Sequence, residues 1–299
     1  MTSLAARLMP LAIRLRGSKR RFGSVDRTSA QIDKTLAAPA SYEPPRSVTN
    51  KVAVTRDDAS GWPVYRISPR DSTPTRASVY FHGGAYIAEI TGTHWRTIAK
   101  LAAAADTTFV VPIYPLAPTK TAATTVARAA EIAESVTIEF GCEHVVLMGD
   151  SAGGGMALAV AQQLRDAGVA SVAHIVLISP WLDVAMTDPE IEKIAPRDPW
   201  LAVPGTKLAG ELYRGDLPVD DPRVSPLRGD LHGLAPMSLF SGTRDIANAD
   251  ARSLVNACRS IGAPLHYHEA SEMLHVYPLL PIPEGRRALA VIADALTRA

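Results

Sequence analysis

Two cysteines in 299 residues are too few for a disulfide framework, and Cys142 and Cys258 form no metal-binding pair. They read as small buried hydrophobes in a reducing compartment. An excess of one charge is also missing. Thirty-one Lys and Arg against 30 Asp and Glu provide no strong field to draw nucleic acid or an acidic polymer. No apolar run reaches the roughly 20 residues that a bilayer span needs. Residues 4–15 are apolar but interrupted by Arg7, Pro10 and Arg14, without the unbroken core and cleavage site of a signal peptide. A cytoplasmic protein is expected. Arg14, Arg16, Lys19, Arg20 and Arg21 make this segment an amphipathic helix packed over the body of the protein, with peripheral membrane contact as the alternative.

What is present is an alternation. From Lys51 onward, β-rich runs exchange with helical stretches, as in a mainly parallel sheet covered on both faces, and the length suits one large α/β domain. The patterning predicts eight strands, at 52–55, 64–67, 78–81, 109–113, 145–148, 175–178, 237–240 and 265–268. Helices are predicted at 93–105, with Thr93 as N-cap, and at 121–139, 153–167, 250–261 and 284–297. Two stretches fit the sheet poorly. Residues 1–48 are helical and then proline-rich, and residues 184–228 carry many prolines and charges around one helical piece at 206–213. Both read as excursions that together form a lid over the strand ends, where open α/β sheets bind ligands.

Chemistry concentrates after the strand at 145–148. There Gly149-Asp150-Ser151-Ala152-Gly153-Gly154 has the Gly-x-Ser-x-Gly spacing of a nucleophile elbow, a sharp strand-to-helix turn that exposes the serine hydroxyl. A serine needs a base, and the base needs a carboxylate to orient it, in the chain order Ser, acid, His. Of the downstream histidines, His174 precedes an apolar strand and His232 lies in a loop. His266 and His268 share one face of a late strand and read as structural. His275 follows that strand and can reach over the sheet edge. Asp245 follows the strand at 237–240 at the same edge and is the expected acid; its rival Asp250 reads as the N-cap of the next helix. Donors for a developing oxyanion are expected from the backbone N–H groups of Gly83, Gly84 and Ala152, with His82 bracing the glycine loop.

The pieces His82-Gly83-Gly84-Ala85, Tyr114-Pro115-Leu116-Ala117-Pro118, Gly149 to Gly154, Ser179-Pro180-Trp181-Leu182-Asp183, Asp245 and His275 occur in this order. In them the chain resembles the hormone-sensitive-lipase family of α/β-hydrolases, over about residues 78–280, and its Ala-, Thr- and Arg-rich wording is similar to that of the mycobacterial lipase/esterase paralogues. It departs from the family at Pro115 and Thr119 and around His275, where Glu272 and Val276-Tyr277 replace the usual Gly and Gly-Phe. The resemblance implies an α/β-hydrolase fold with an eight-stranded, mostly parallel sheet and a helical cap contributed by residues 1–48 and 184–228. It also implies a carboxylester hydrolase without cofactor or metal. The substrate is a small-molecule or lipid ester of short to medium acyl length, in a pocket lined by Tyr86, Trp181, Leu274 and Val276. A homodimer is compatible with the sequence. Two other readings stay open: an amidase or arylformamidase using the same residues, and a ligand-binding homologue. The presence of His275 speaks against the second. His268-Glu269 has no following histidine at the spacing of a zinc hydrolase helix.

Overall fold

β-Branched and aromatic residues gather in short runs, and these form the strands of one sheet. The strands are β1 (Ala53–Asp57), β2 (Val64–Ser68), β3 (Ala77–Phe81), β4 (Thr108–Pro112), β5 (Val145–Asp150), β6 (His174–Ile178), β7 (Met237–Gly242) and β8 (Leu265–Ala270). The computed structural model describes residues 2–59 and 61–298. Among these, the sheet has eight strands in the order β1-β2-β4-β3-β5-β6-β7-β8. β2 runs antiparallel to both β1 and β4, and every other neighbouring pair is parallel. β8 therefore closes one margin, and β5 lies inside the sheet between β3 and β6.

The helices are α1 (Leu4–Leu15), α2 (Ser18–Arg21), α3 (Val25–Ala37), α4 (Arg46–Thr49), α5 (Gly92–Ala105), α6 (Ala122–Phe140), α7 (Ala152–Asp166), α8 (Glu190–Ile194), α9 (Val203–Arg214), α10 (Asn248–Ile261) and α11 (Pro283–Arg298). Successive strand residues face opposite sides, so β5 feeds two cores. Val145 and Leu147 pack with apolar residues of α6, α7 and α10. Val146 and Met148 pack with residues of α5 and α11. Helix α5 buries Trp95, Ile98 and Leu101, each worth about 1.5–3 kcal/mol relative to exposure. No described helix is long and apolar enough to cross a membrane.

Both excursions leave the sheet and meet each other. Gly205 at the start of α9 donates its N–H to the Phe22 carbonyl (2.9 Å). Lys19 in α2 donates to the carbonyls of Ala195 (2.6 Å) and Asp198 (2.7 Å).

Two capping expectations are corrected. Helix α5 is capped by Thr91, not Thr93, because the His94 ring reaches back to accept the Thr91 N–H (2.9 Å). Helix α10 begins at Asn248, which moves Asp250 from the cap into the first turn. There it is buried. Burial, with the nearby charges of Asp183 and Asp188, pushes its carboxyl up to about 8. The last strand also runs on to Ala270, beyond the expected end at His268.

Candidate active site

Strand β5 delivers Ser151 at the carboxyl edge of the sheet, with φ 54° and ψ −121°. Positive φ is costly for a residue with a Cβ and persists only where neighbours over-determine it. Three backbone bonds do so here: Ser151 N–H to the Ile178 carbonyl (2.8 Å), and the N–H groups of Trp181 (2.9 Å) and Gly155 (3.1 Å) to the Ser151 carbonyl. The turn tolerates no side chain on its flanks. A Cβ on Gly149 would lie 2.1 Å from the Gly153 carbonyl oxygen, and one on Gly153 would lie 2.0 Å from that of Phe81 in β3.

Two further strand ends supply partners. The loop after β8 carries His275, with Nε2 2.9 Å from Ser151 Oγ. The turn after β7 carries Asp245, with Oδ2 2.9 Å from His275 Nδ1. A carboxylate only accepts, so the neutral ring carries its proton on Nδ1 and leaves Nε2 to receive the serine hydroxyl. All three side chains are buried. Burial opposes the imidazolium at His275, but the Asp245 carboxylate outweighs it and raises the imidazole above its ordinary range, with Asp198 and Asp150 adding to the effect. The loop is also held from below, where Val276 N–H donates to Ser179 Oγ (2.9 Å). An imidazole so placed can take a proton from Ser151 and hold it beside a negative partner.

The glycine loop after β3 departs from expectation at one position. Gly83 N–H donates to Asp150 Oδ1 (2.9 Å), so this donor is spent on the protein and is corrected out of the set offered to an oxyanion. Asp150 also accepts from Tyr80 Oη (2.6 Å) and faces His94 Nε2 at 3.2 Å. Burial works against its charge, but His94, Tyr80 and the Gly83 N–H prevail and hold the carboxyl below the ordinary range. Gly84 and Ala85 follow with φ of 139° and 53°. Their N–H groups, and that of Ala152 at the start of α7, take no backbone or side-chain acceptor among the described residues. His82 braces the loop: its ring stacks on Tyr114 at 4.3 Å, and Tyr114 Oη donates to its carbonyl (2.6 Å).

A family described as having the alpha/beta hydrolase fold matches this chain over residues 78–279, a span containing every residue of this constellation. The chain belongs to the α/β-hydrolase family. An acetyl-hydrolase of Streptomyces hygroscopicus is 34% identical over 230 residues, covering 75% of this chain and 76% of the relative. A triacylglycerol lipase of Mycobacterium tuberculosis is 34% identical over 221 residues, 74% of this chain and 46% of the lipase. Among solved structures, an esterase from the bacterial hormone-sensitive lipase family superposes with a TM-score of 0.84 at 26% identity, over 100% of this chain and 99% of that one. These relatives place the chain among the esterase- and lipase-type α/β hydrolases.

In this hydrolase the four expected pocket residues divide between the two cores. Tyr86 and Trp181 pack on the α6–α7 side, while Leu274 and Val276 are buried on the α5–α11 side. Tyr86 Oη donates to the Ala152 carbonyl (2.7 Å), and its ring stacks on Tyr213 of α9. Tyr213 was not anticipated, nor was Trp200, whose ring meets that of His275 edge-on at 6.0 Å. A third residue missed is Asp198. Its carboxylate accepts N–H groups from Trp200 (2.7 Å), Leu201 (2.9 Å) and Ile246 (3.0 Å), tying the 184–228 segment to the residue after Asp245. The only local hint in the sequence was a short acidic side chain before Pro199. His174, His266 and His268 lie away from Ser151, along a groove of about 460 Å³ beside α11. His232 pairs with Asp230 at the surface.

Proposed function

We propose that this hydrolase cleaves carboxylic esters of short to medium acyl length through a covalent acyl-enzyme on Ser151. His275 takes the hydroxyl proton as Ser151 attacks the ester carbonyl, then gives it to the departing alcohol. Asp245 keeps the proton on Nδ1 and offsets the imidazolium charge. Water repeats the sequence on the acyl-enzyme and frees the acid. The oxyanion receives N–H groups from Gly84, Ala85 and Ala152, each donor worth about 3 kcal/mol in the transition state. Residues 1–48 and 184–228 act as the cap. The aromatic group of Tyr86, Trp181 and Tyr213 behind the elbow restricts acyl length, in keeping with the name of the Streptomyces relative.

One observation carries this reading: a single buried imidazole 2.9 Å from both Ser151 and Asp245. The test is hydrolysis of p-nitrophenyl acetate, butyrate and octanoate, alongside the matching anilides. Ester turnover is expected to exceed anilide turnover and to fall from butyrate to octanoate. Ser151→Ala is expected to lower kcat about 10⁴-fold or more with the fold intact. A folded S151A protein that still turns over the esters would refute the assignment. Preference for the anilides would move the chain to the amidase reading.

A further inference from the structure

Helix α1 has two apolar faces and uses only one of them. Ala6, Pro10 and Ile13 are buried against the protein. Leu4, Leu8, Leu11 and Leu15 are exposed at 71%, 56%, 57% and 80%. At 100° per residue these four positions fall within about 60° of one another, so they form one leucine ridge along the outer side. A ridge of this kind differs from the singly scattered apolar residues that any protein surface carries. The helix presenting it is firmly held. Ser3 caps its start through the Ala6 N–H (3.2 Å), and the Ser3 N–H and hydroxyl both donate to Glu284 at the start of α11 (2.7 and 2.8 Å).

The charge along this segment of the chain has one sign. Between Thr2 and Val25 there is no acidic residue, in a chain whose overall charge is only +1. Arg7, Arg14, Arg16, Arg20 and Arg21 are exposed, and none is paired with a carboxylate among the described residues. Leucines flanked by unpaired arginines complement a surface that is apolar below and anionic above. A second copy of this chain would instead set one basic segment against another.

We propose that α1 docks the protein on an anionic lipid bilayer. The leucine ridge enters the boundary between headgroups and acyl chains, and the arginines meet lipid phosphates. The proposal stands apart from the ester-hydrolase reading, because it rests on the surface of α1 alone.

The test uses the full chain and sedimentation with vesicles, either phosphatidylcholine alone or a mixture with phosphatidylglycerol. Binding to the mixed vesicles is expected to be at least about tenfold tighter than to phosphatidylcholine, and to weaken several-fold between 0.1 and 0.5 M salt. Leu8→Glu with Leu11→Glu is expected to lower the vesicle partition coefficient at least about tenfold, with an unchanged melting curve. Arg14→Glu with Arg16→Glu, which leaves the ridge intact, is expected to abolish the preference for anionic vesicles. Equal sedimentation of wild type and both variants, or no preference for anionic lipid, would overturn the proposal. So would light scattering that shows a wild-type dimer dissociated by L8E/L11E, since a second copy would then cover the ridge.

Discussion

Asp198 makes no hydrogen bond to Ser151 or His275 among the described residues, yet its charge bears on His275. Burial and the neighbouring Asp245 push its carboxyl up to about 6, against the pull of three backbone N–H groups, from Leu201, Ile246 and Trp200. When ionised it adds to the field of Asp245 and Asp150 that raises His275. Asp198→Asn keeps an acceptor oxygen and removes the charge. His275 should then lose its proton more easily, so the acid limb of kcat/KM should move to lower pH while the plateau changes less than about tenfold. A pH–rate profile on p-nitrophenyl acetate checks this; an unmoved limb would leave Asp198 as a tether only. The residue explains what the sequence could and could not disclose. The meeting of Ser151, Asp245 and His275 was legible because each follows a strand and the chemistry dictates their order. Asp198 was hidden because one of its partners, Ile246, is 48 positions away. Gly83 was misread for a related reason. The Asp150 carboxylate that takes its N–H comes from 67 positions downstream, on a strand whose motif drew attention to the serine alone.

Elements were easier to foresee than their ends. Short β-rich runs located all eight strands; β3, β4, β5 and β7, buried along their whole length, show it most plainly, because a strand covered on both faces needs near-continuous apolar sequence. The caps of α5 and α10 were missed because a side chain outside the pattern, His94, and a turn begun at Asn248 decide where those helices start. The junction of β5 and α7 was legible from its glycine spacing. Gly149 is small to clear its own turn, whereas Gly153 is small to clear the backbone of β3. Gly153→Ala therefore needs the elbow helix to move away from the central sheet, because Phe81 contributes backbone rather than a flexible side chain. That variant should lose at least about 3 kcal/mol of stability and most of its activity, measurable by denaturant unfolding and ester turnover. A stable, active G153A protein would show that α7 can slide without disturbing Ser151.

Across the whole molecule, buried carboxyls shape stability against pH. Asp250 binds its proton more tightly folded than unfolded, so its contribution is complete below about pH 4 and is lost as pH rises through about 8. Asp250→Asn removes that loss. The variant should melt close to wild type at pH 5 and pull ahead as pH rises, by roughly 3 kcal/mol or more at pH 9, since one pKa unit is worth about 1.4 kcal/mol. Thermal unfolding of both proteins across this range reads the gap directly, and a constant gap would place the ionised carboxylate in a better-solvated setting. The strand order has another consequence at this scale. Ser151 grows from β5, flanked by β3 and β6, whereas His275 hangs from the loop after β8, at the margin of the sheet. The two ends of the proton's path thus stand on unequal ground. Loosening of the marginal strand would separate the imidazole from a serine still held in its turn, so the chain can be disarmed without being unfolded.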